Sequence, residues 1–147
     1  MKILIFGLPG SGKTTFAKEL AYHFTVPHYN ADTFREYYDD WDFSEAGRVR
    51  QFHRMNSKDW GIIDFVCPFN DYRDKLGADY IIWMDTIKQG RFEDTNKVFD
   101  TPTKYDIRIK EWIDLDQLRS SFKDYDSGVK GLEEYMKELV RLNTQNV

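Results

Sequence analysis

Within the stretch KILIFGLPGSGKTTFAKELAYHF (2–24) the sequence changes character twice. Lys2 to Phe6 is a short, nearly all-apolar run ending at Gly7, as in a strand buried on both faces. From Thr14 onward, Phe16, Leu20 and Phe24 recur at i, i+4 and i+8 with Ala17 and Ala21 beside them, which describes one face of a helix. Between the two lies GLPGSGKT (7–14), a match to G-x-x-x-x-G-K-[ST]. Its glycines permit backbone angles that turn successive N–H groups toward one point, an anion cradle at a helix N-terminus. Lys13 has the reach for the β- and γ-phosphates of a nucleotide, and the Thr14 hydroxyl can ligate Mg²⁺. The pattern arises by chance in roughly one chain in a few hundred of this length, and its strand–loop–helix setting makes chance rarer still. Gly7, Leu8, Pro9, Gly10, Ser11, Gly12, Lys13, Thr14 and Thr15 are therefore assigned to ATP, with Lys13 also catalytic.

Outward from this motif, the same alternation continues. VPHYN (26–30), GIIDFVC (61–67), DYIIWMD (79–85) and YDIRI (105–109) read as further strands. A helix from an Ser44 N-cap to about residue 58 has Val49, Phe52 and Met55 inward. VKGLEEYMKELVRL (129–142) closes the chain as an amphipathic helix with Val129, Leu132, Tyr135, Met136, Leu139 and Val140 inward. Strands alternating with helices predict an α/β fold: a parallel β-sheet of about five strands with helices on both faces. No linker or repeat divides residues 1–147, so a single domain is expected. Residues 86–104 fit neither period, and so long an irregular segment in so small a domain reads as a mobile lid.

Composition narrows the partners. With 147 residues, 41% apolar, the chain can bury one good core. A net charge of −4 argues against nucleic acid or an anionic membrane as the main partner. Aromatic residues reach a high 16%; most are expected in the core, with a few left to stack on a ligand. Cys67 is the lone cysteine, so an internal disulfide is ruled out and a reducing, cytoplasmic setting is expected.

The acceptor side is read from NADTFREYYDDWDFSEAGRVRQ (30–51). Phosphoryl transfer to a hydroxyl needs a carboxylate to orient it and cations for any charge the acceptor carries. Asp32 follows the second strand, expected as the cap of a helix over 33–38, and Arg35 lies one turn on. Asp64, inside the third strand, is costly to bury unpaired and is expected beside a cation. Either Asp32 or Asp64 could hold Mg²⁺ through water.

These residues resemble those of the adenylylsulfate kinases, P-loop enzymes that phosphorylate the 3′-hydroxyl of adenosine 5′-phosphosulfate (APS). Their GLSGSGK[ST] is GLPGSGKT here. Their D-G-D-x-x-R and L-G-F-S-x-x-D-R-x-x-N-x-R-R are matched by NADTFR and WDFSEAGRVRQFHR, with Asp32, Arg35, Phe43, Ser44, Arg48 and Arg54 in register. SFISPYR is echoed by DFVCPFN (64–70), and F-T-G before Pro by VFDTP (98–102). The resemblance spans nearly the whole chain. It implies that Phe43 and Phe99 sandwich the acceptor adenine, that Arg35 and Arg48 hold the phosphosulfate, and that Asp32 handles the acceptor hydroxyl. It further places Gln51 in the acceptor site and implies a homodimer, while Arg91 and Lys97, on the irregular segment 86–104, could cover the transferring phosphate as a lid does.

The chain departs from that pattern at Asn30, Gly47 and Gln51, where the family has Asp, Asp and Asn. Its lid is shorter and lacks the L-Y-K-K-A-R run, and Cys67 stands where many bacterial members have Ser. A P-loop kinase for another acceptor, a polynucleotide 5′-hydroxyl or a small metabolite, stays open as an alternative. So does a non-catalytic nucleotide-binding module.

Overall fold

β1 (Lys2–Phe6) runs through the middle of a five-stranded sheet whose order is β2-β3-β1-β4-β5. The other strands are β2 (His28–Asn30), β3 (Gly61–Asp64), β4 (Tyr80–Met84) and β5 (Ile107–Ile109), and every pairing is parallel. The computed structural model describes residues 1–90 and 92–145.

The pleat of β1 sorts its side chains between two cores. Ile3 and Ile5 face α1 (Lys13–Phe24), α6 (Leu115–Phe122) and α7 (Val129–Gln145), through Phe16, Leu20, Phe24, Leu118, Phe122, Leu132 and Met136. Leu4 and Phe6 face the opposite layer, which includes Ala31, Phe52, Met55, Phe65 and Leu76. That layer is carried by α2 (Ala31–Tyr38), α3 (Glu45–Asn56) and α4 (Asn70–Lys75). Each fully buried Leu, Ile or Phe contributes roughly 1.5–3 kcal/mol of transfer free energy, and burial on both faces explains why the strands are continuous apolar runs.

Several local expectations are corrected. The cap of α2 is Asn30, whose side chain accepts from the Thr33 amide at 3.0 Å; Asp32 lies inside the first turn. Val49 and Val129, expected inward, are exposed. Segment 86–104 contains a short helix, α5 (Glu93–Val98). α4 and α6 had no clear period in the sequence. At α3 the Ser44 cap is as expected, its hydroxyl accepting from Gly47 N.

Candidate active site

The carboxyl ends of β1, β2 and β3 open into one cleft of about 660 Å³. In parallel α/β sheets ligands bind at this edge, where the loops leave the strands.

Its floor is the loop after β1. Gly10 and Gly12 hold φ of 88° and 95°, left-handed values that a side chain rarely adopts. Gly7 is needed for a different reason: a Cβ there would lie 2.6 Å from the Met84 carbonyl oxygen of β4. α1 starts at Lys13 with no side-chain cap on Gly12, so its first amides point into the cleft as donors. Lys13 is buried, and its Nζ donates to the Leu8 carbonyl at 3.2 Å, folding the side chain back over the loop.

Beside the floor, Asn30 joins two elements. Its Nδ2 donates to Thr14 Oγ at 3.1 Å and to Asp64 Oδ2 at 2.8 Å, while its Oδ1 caps α2. Asp64 Oδ2 is also 3.2 Å from His28 Nε2. Burial alone would raise the Asp64 carboxyl, but the bonds from His28, Asn30 and Thr14 and the charge of Lys13 outweigh it and hold its pKa below the ordinary value. Its hydrogen-bond partners are thus His28, Asn30 and Thr14, with the charge of Lys13 acting beside them. A hydroxyl and an ionised carboxylate at hydrogen-bonding distance suit Mg²⁺, which takes few protein oxygens and completes its shell with water and phosphate. Among the described residues no group of three or more His, Cys, Asp or Glu could hold a metal alone.

The far wall carries the charge. Arg35 and Arg48 are 5% and 8% exposed, yet among the described residues their hydrogen bonds go to backbone: Arg35 Nη1 to the carbonyls of Asp40 (2.9 Å) and Asp42 (3.1 Å), Arg48 Nε to that of Phe43 (2.8 Å). Burial is the largest influence and lowers the pKa of both groups, outweighing the charges of Asp40 and Asp32 near Arg35 and of Asp94 near Arg48. The Phe43 ring lies 4.2 Å from the Arg35 guanidinium carbon and 5.5 Å from that of Arg48. Asp32 lines the cleft between this wall and the loop.

Other sequence candidates fall elsewhere. Gln51 lines the cleft, but its amide donates to Ala31 O at 2.7 Å and accepts from Arg54 at 3.2 Å, so it straps α3 to α2. Phe99 is not opposite Phe43. It stacks on Phe6 with centroids 6.2 Å apart, and Arg73 lies over it at 4.6 Å, beside a separate depression behind segment 86–104. Lys97 is exposed, pairs with Glu93 at 3.7 Å and does not line the cleft. Arg91 lies outside the described residues. Cys67 is wholly buried, and burial pushes its thiol well above the ordinary range.

Five aromatic residues that sequence reasoning passed over line the cleft: Trp41, Phe65, Tyr72, Phe92 and Trp112. Trp112 covers the phosphate loop, its Cζ3 lying 3.3 Å from where a Gly12 Cβ would be. The signal available was position, since Trp41 sits two residues before Phe43 and Trp112 three after β5.

With the phosphate loop between the central strand and α1 of an all-parallel sheet, the architecture is that of the P-loop kinases. Among solved structures, the APS kinase of Mycobacterium tuberculosis in complex with AMPPNP and APS superposes with a TM-score of 0.65 at 17% identity, covering 83% of this chain and 95% of that one. Shikimate kinase from Aquifex aeolicus gives 0.60 at 14% identity, covering 84% and 94%. A gluconokinase from Sinorhizobium meliloti gives 0.59 at 14%, covering 98% and 94%. At these identities the likeness is one of fold. In sequence, 37 residues are 54% identical to an adenylate kinase of Pseudothermotoga lettingae, which is 24% of this chain and spans 17% of that relative's length. No family model matches the chain.

Proposed function

We propose that this chain is an ATP-dependent kinase that phosphorylates the 3′-hydroxyl of adenosine 5′-phosphosulfate. The observation that carries the reading is the pair Arg35 and Arg48: buried guanidinium groups that hydrogen-bond no carboxylate among the described residues, flanking an aromatic ring in the cleft that holds the phosphate loop. Leaving two cations desolvated is costly unless an anion completes them. Guanidinium forks match tetrahedral oxyanions, and Phe43 beside them offers a face to a base.

In this reading the amides of Gly10 to Thr15 bind the donor phosphates and Lys13 swings from Leu8 O onto the transferring group. Thr14 and, through water, Asp64 hold the Mg²⁺ that accompanies ATP and neutralises phosphate charge. Asp32 accepts a hydrogen bond from the acceptor hydroxyl, orienting it for in-line attack, and takes its proton. Segment 86–104 acts as a lid: Phe92 and Thr95 already line the cleft, and closure would exclude water. One domain suffices for all of these parts.

The test is ADP release from ATP and Mg²⁺ with APS, adenosine 5′-phosphate, shikimate, gluconate or a 5′-hydroxyl oligonucleotide. APS-dependent turnover that disappears in Lys13→Ala supports the proposal. Stimulation by shikimate or gluconate alone would keep the anion-binding role of the arginine pair and remove the nucleotide specificity. ATP binding with no turnover on any acceptor would instead identify a binding module.

A further inference from the structure

Gly47 occupies the third position of α3, inside a helix, where glycine is a weaker former than alanine. Its neighbours explain it. A Cβ on Gly47 would sit 2.0 Å from the Asp42 carbonyl oxygen and 2.6 Å from the Asp42 carboxyl carbon. The incoming chain is folded back so tightly over the first turn of α3 that only a hydrogen fits.

That closeness is tied to the cleft. The carbonyls of Asp40 and Asp42 both accept from Arg35 on the inner side. On the outer side, Arg50 bonds both oxygens of Asp40 (3.0 and 3.1 Å) and one of Asp42 (3.0 Å), and Arg54 bonds Asp40 at 2.6 Å. The segment held between them presents Trp41 and Phe43, each about half exposed, to the cleft.

We propose that Gly47 is a positioning residue for the acceptor: by admitting the Asp42 backbone against α3, it sets where Phe43 and Trp41 stand relative to Arg35 and Arg48. This rests on the acceptor site assigned above and extends it to a residue that touches no ligand. Any side chain at 47 drives the Asp42 carbonyl outward, breaks its bond to Arg35 and carries the aromatic wall with it.

The fold supplies a matched control. Gly131 holds the same third position in α7, and a Cβ there would lie 1.8 Å from the Asp126 carbonyl oxygen, with neither residue lining the cleft. The experiment compares Gly47→Ala, Gly131→Ala and Asp40→Asn, the last releasing Arg50 and Arg54 while keeping the glycine. We expect Gly47→Ala and Asp40→Asn to raise the KM for APS at least ten-fold with the KM for ATP within two-fold, and Gly131→Ala to change neither. Amide hydrogen exchange at 40–43 should quicken in the first two variants only. An unchanged APS KM in Gly47→Ala, or an equal rise in Gly131→Ala, overturns the proposal; if Gly47→Ala does not fold, Asp40→Asn decides alone. Should the wild type turn over no APS, the functional reading fails, and exchange at 40–43 still decides whether Gly47 sets the segment.

Discussion

Asn30 donates a hydrogen bond to the Thr14 hydroxyl at 3.1 Å, so one amide links the end of β2 to the phosphate loop after β1. The same nitrogen reaches Asp64 on β3, and the same side chain caps α2. Three strand ends and the helix carrying Asp32 are thus held in register by a residue that departs from the pattern the sequence otherwise resembles.

Asn30→Ala should therefore lower stability by about 2–3 kcal/mol, combining a lost N-cap with a buried carboxylate short of a donor. Urea unfolding measures it. A loss below about 0.5 kcal/mol would mean that water replaces the amide at no cost.

Lys13 is the cation nearest the donor phosphates by position in the loop. Lys13→Ala should reduce kcat by about 100-fold or more, in the range seen when one transition-state donor is removed. The KM for ATP separates this from simple loss of binding.

Arg48→Ala should raise the KM for the acceptor by roughly 10- to 100-fold, the worth of one hydrogen bond to a charged group. The KM for ATP should stay within about two-fold. Equal losses for both ligands would remove Arg48 from the acceptor wall.

Arg73 is 1% exposed and lies against the rings of both Phe6 and Phe99, donating to the carbonyls of Cys67 (2.9 Å), Pro68 (3.1 Å) and Asp100 (3.0 Å). Burial lowers its pKa to about 10. Arg73→Ala would take a donor from the Cys67 and Asp100 carbonyls, leaving that of Pro68 to the Asp100 amide, and should cost about 3 kcal/mol or more in urea unfolding. Its partner Asp100 lies at the root of segment 86–104, so proteolysis within that segment should quicken as well.

The Cys67 thiol, raised by burial, should resist alkylation at pH 8 in the native protein and react at once in denaturant. Rapid modification of the native state would show that this core opens.

The parallel sheet was legible because the strands are buried on both faces and therefore spell continuous apolar runs. α4 and α6 were not, since at six and eight residues each offers barely two turns of period. The phosphate loop was legible because its geometry demands glycines at fixed spacing. Arg35, Arg48 and Phe43 were assigned to the acceptor through the resemblance, and the packing of α2 on α3 brings them to one wall of the cleft. Phe99 did not: whether an aromatic before a loop faces a cleft or a core depends on Arg73, far away in sequence, drawing it inward. Gln51 and Asn30 show the same limit, because an amide's role lies in the partners that tertiary packing brings to it.

The most direct test follows the phosphate itself. ATP labelled at the γ-phosphate is incubated with Mg²⁺, APS and the protein, and the nucleotide product is isolated and treated with a 3′-nucleotidase. The account predicts label on the nucleotide, released by that treatment and absent with Lys13→Ala. Label that never reaches APS, from a protein that binds ATP, would contradict it.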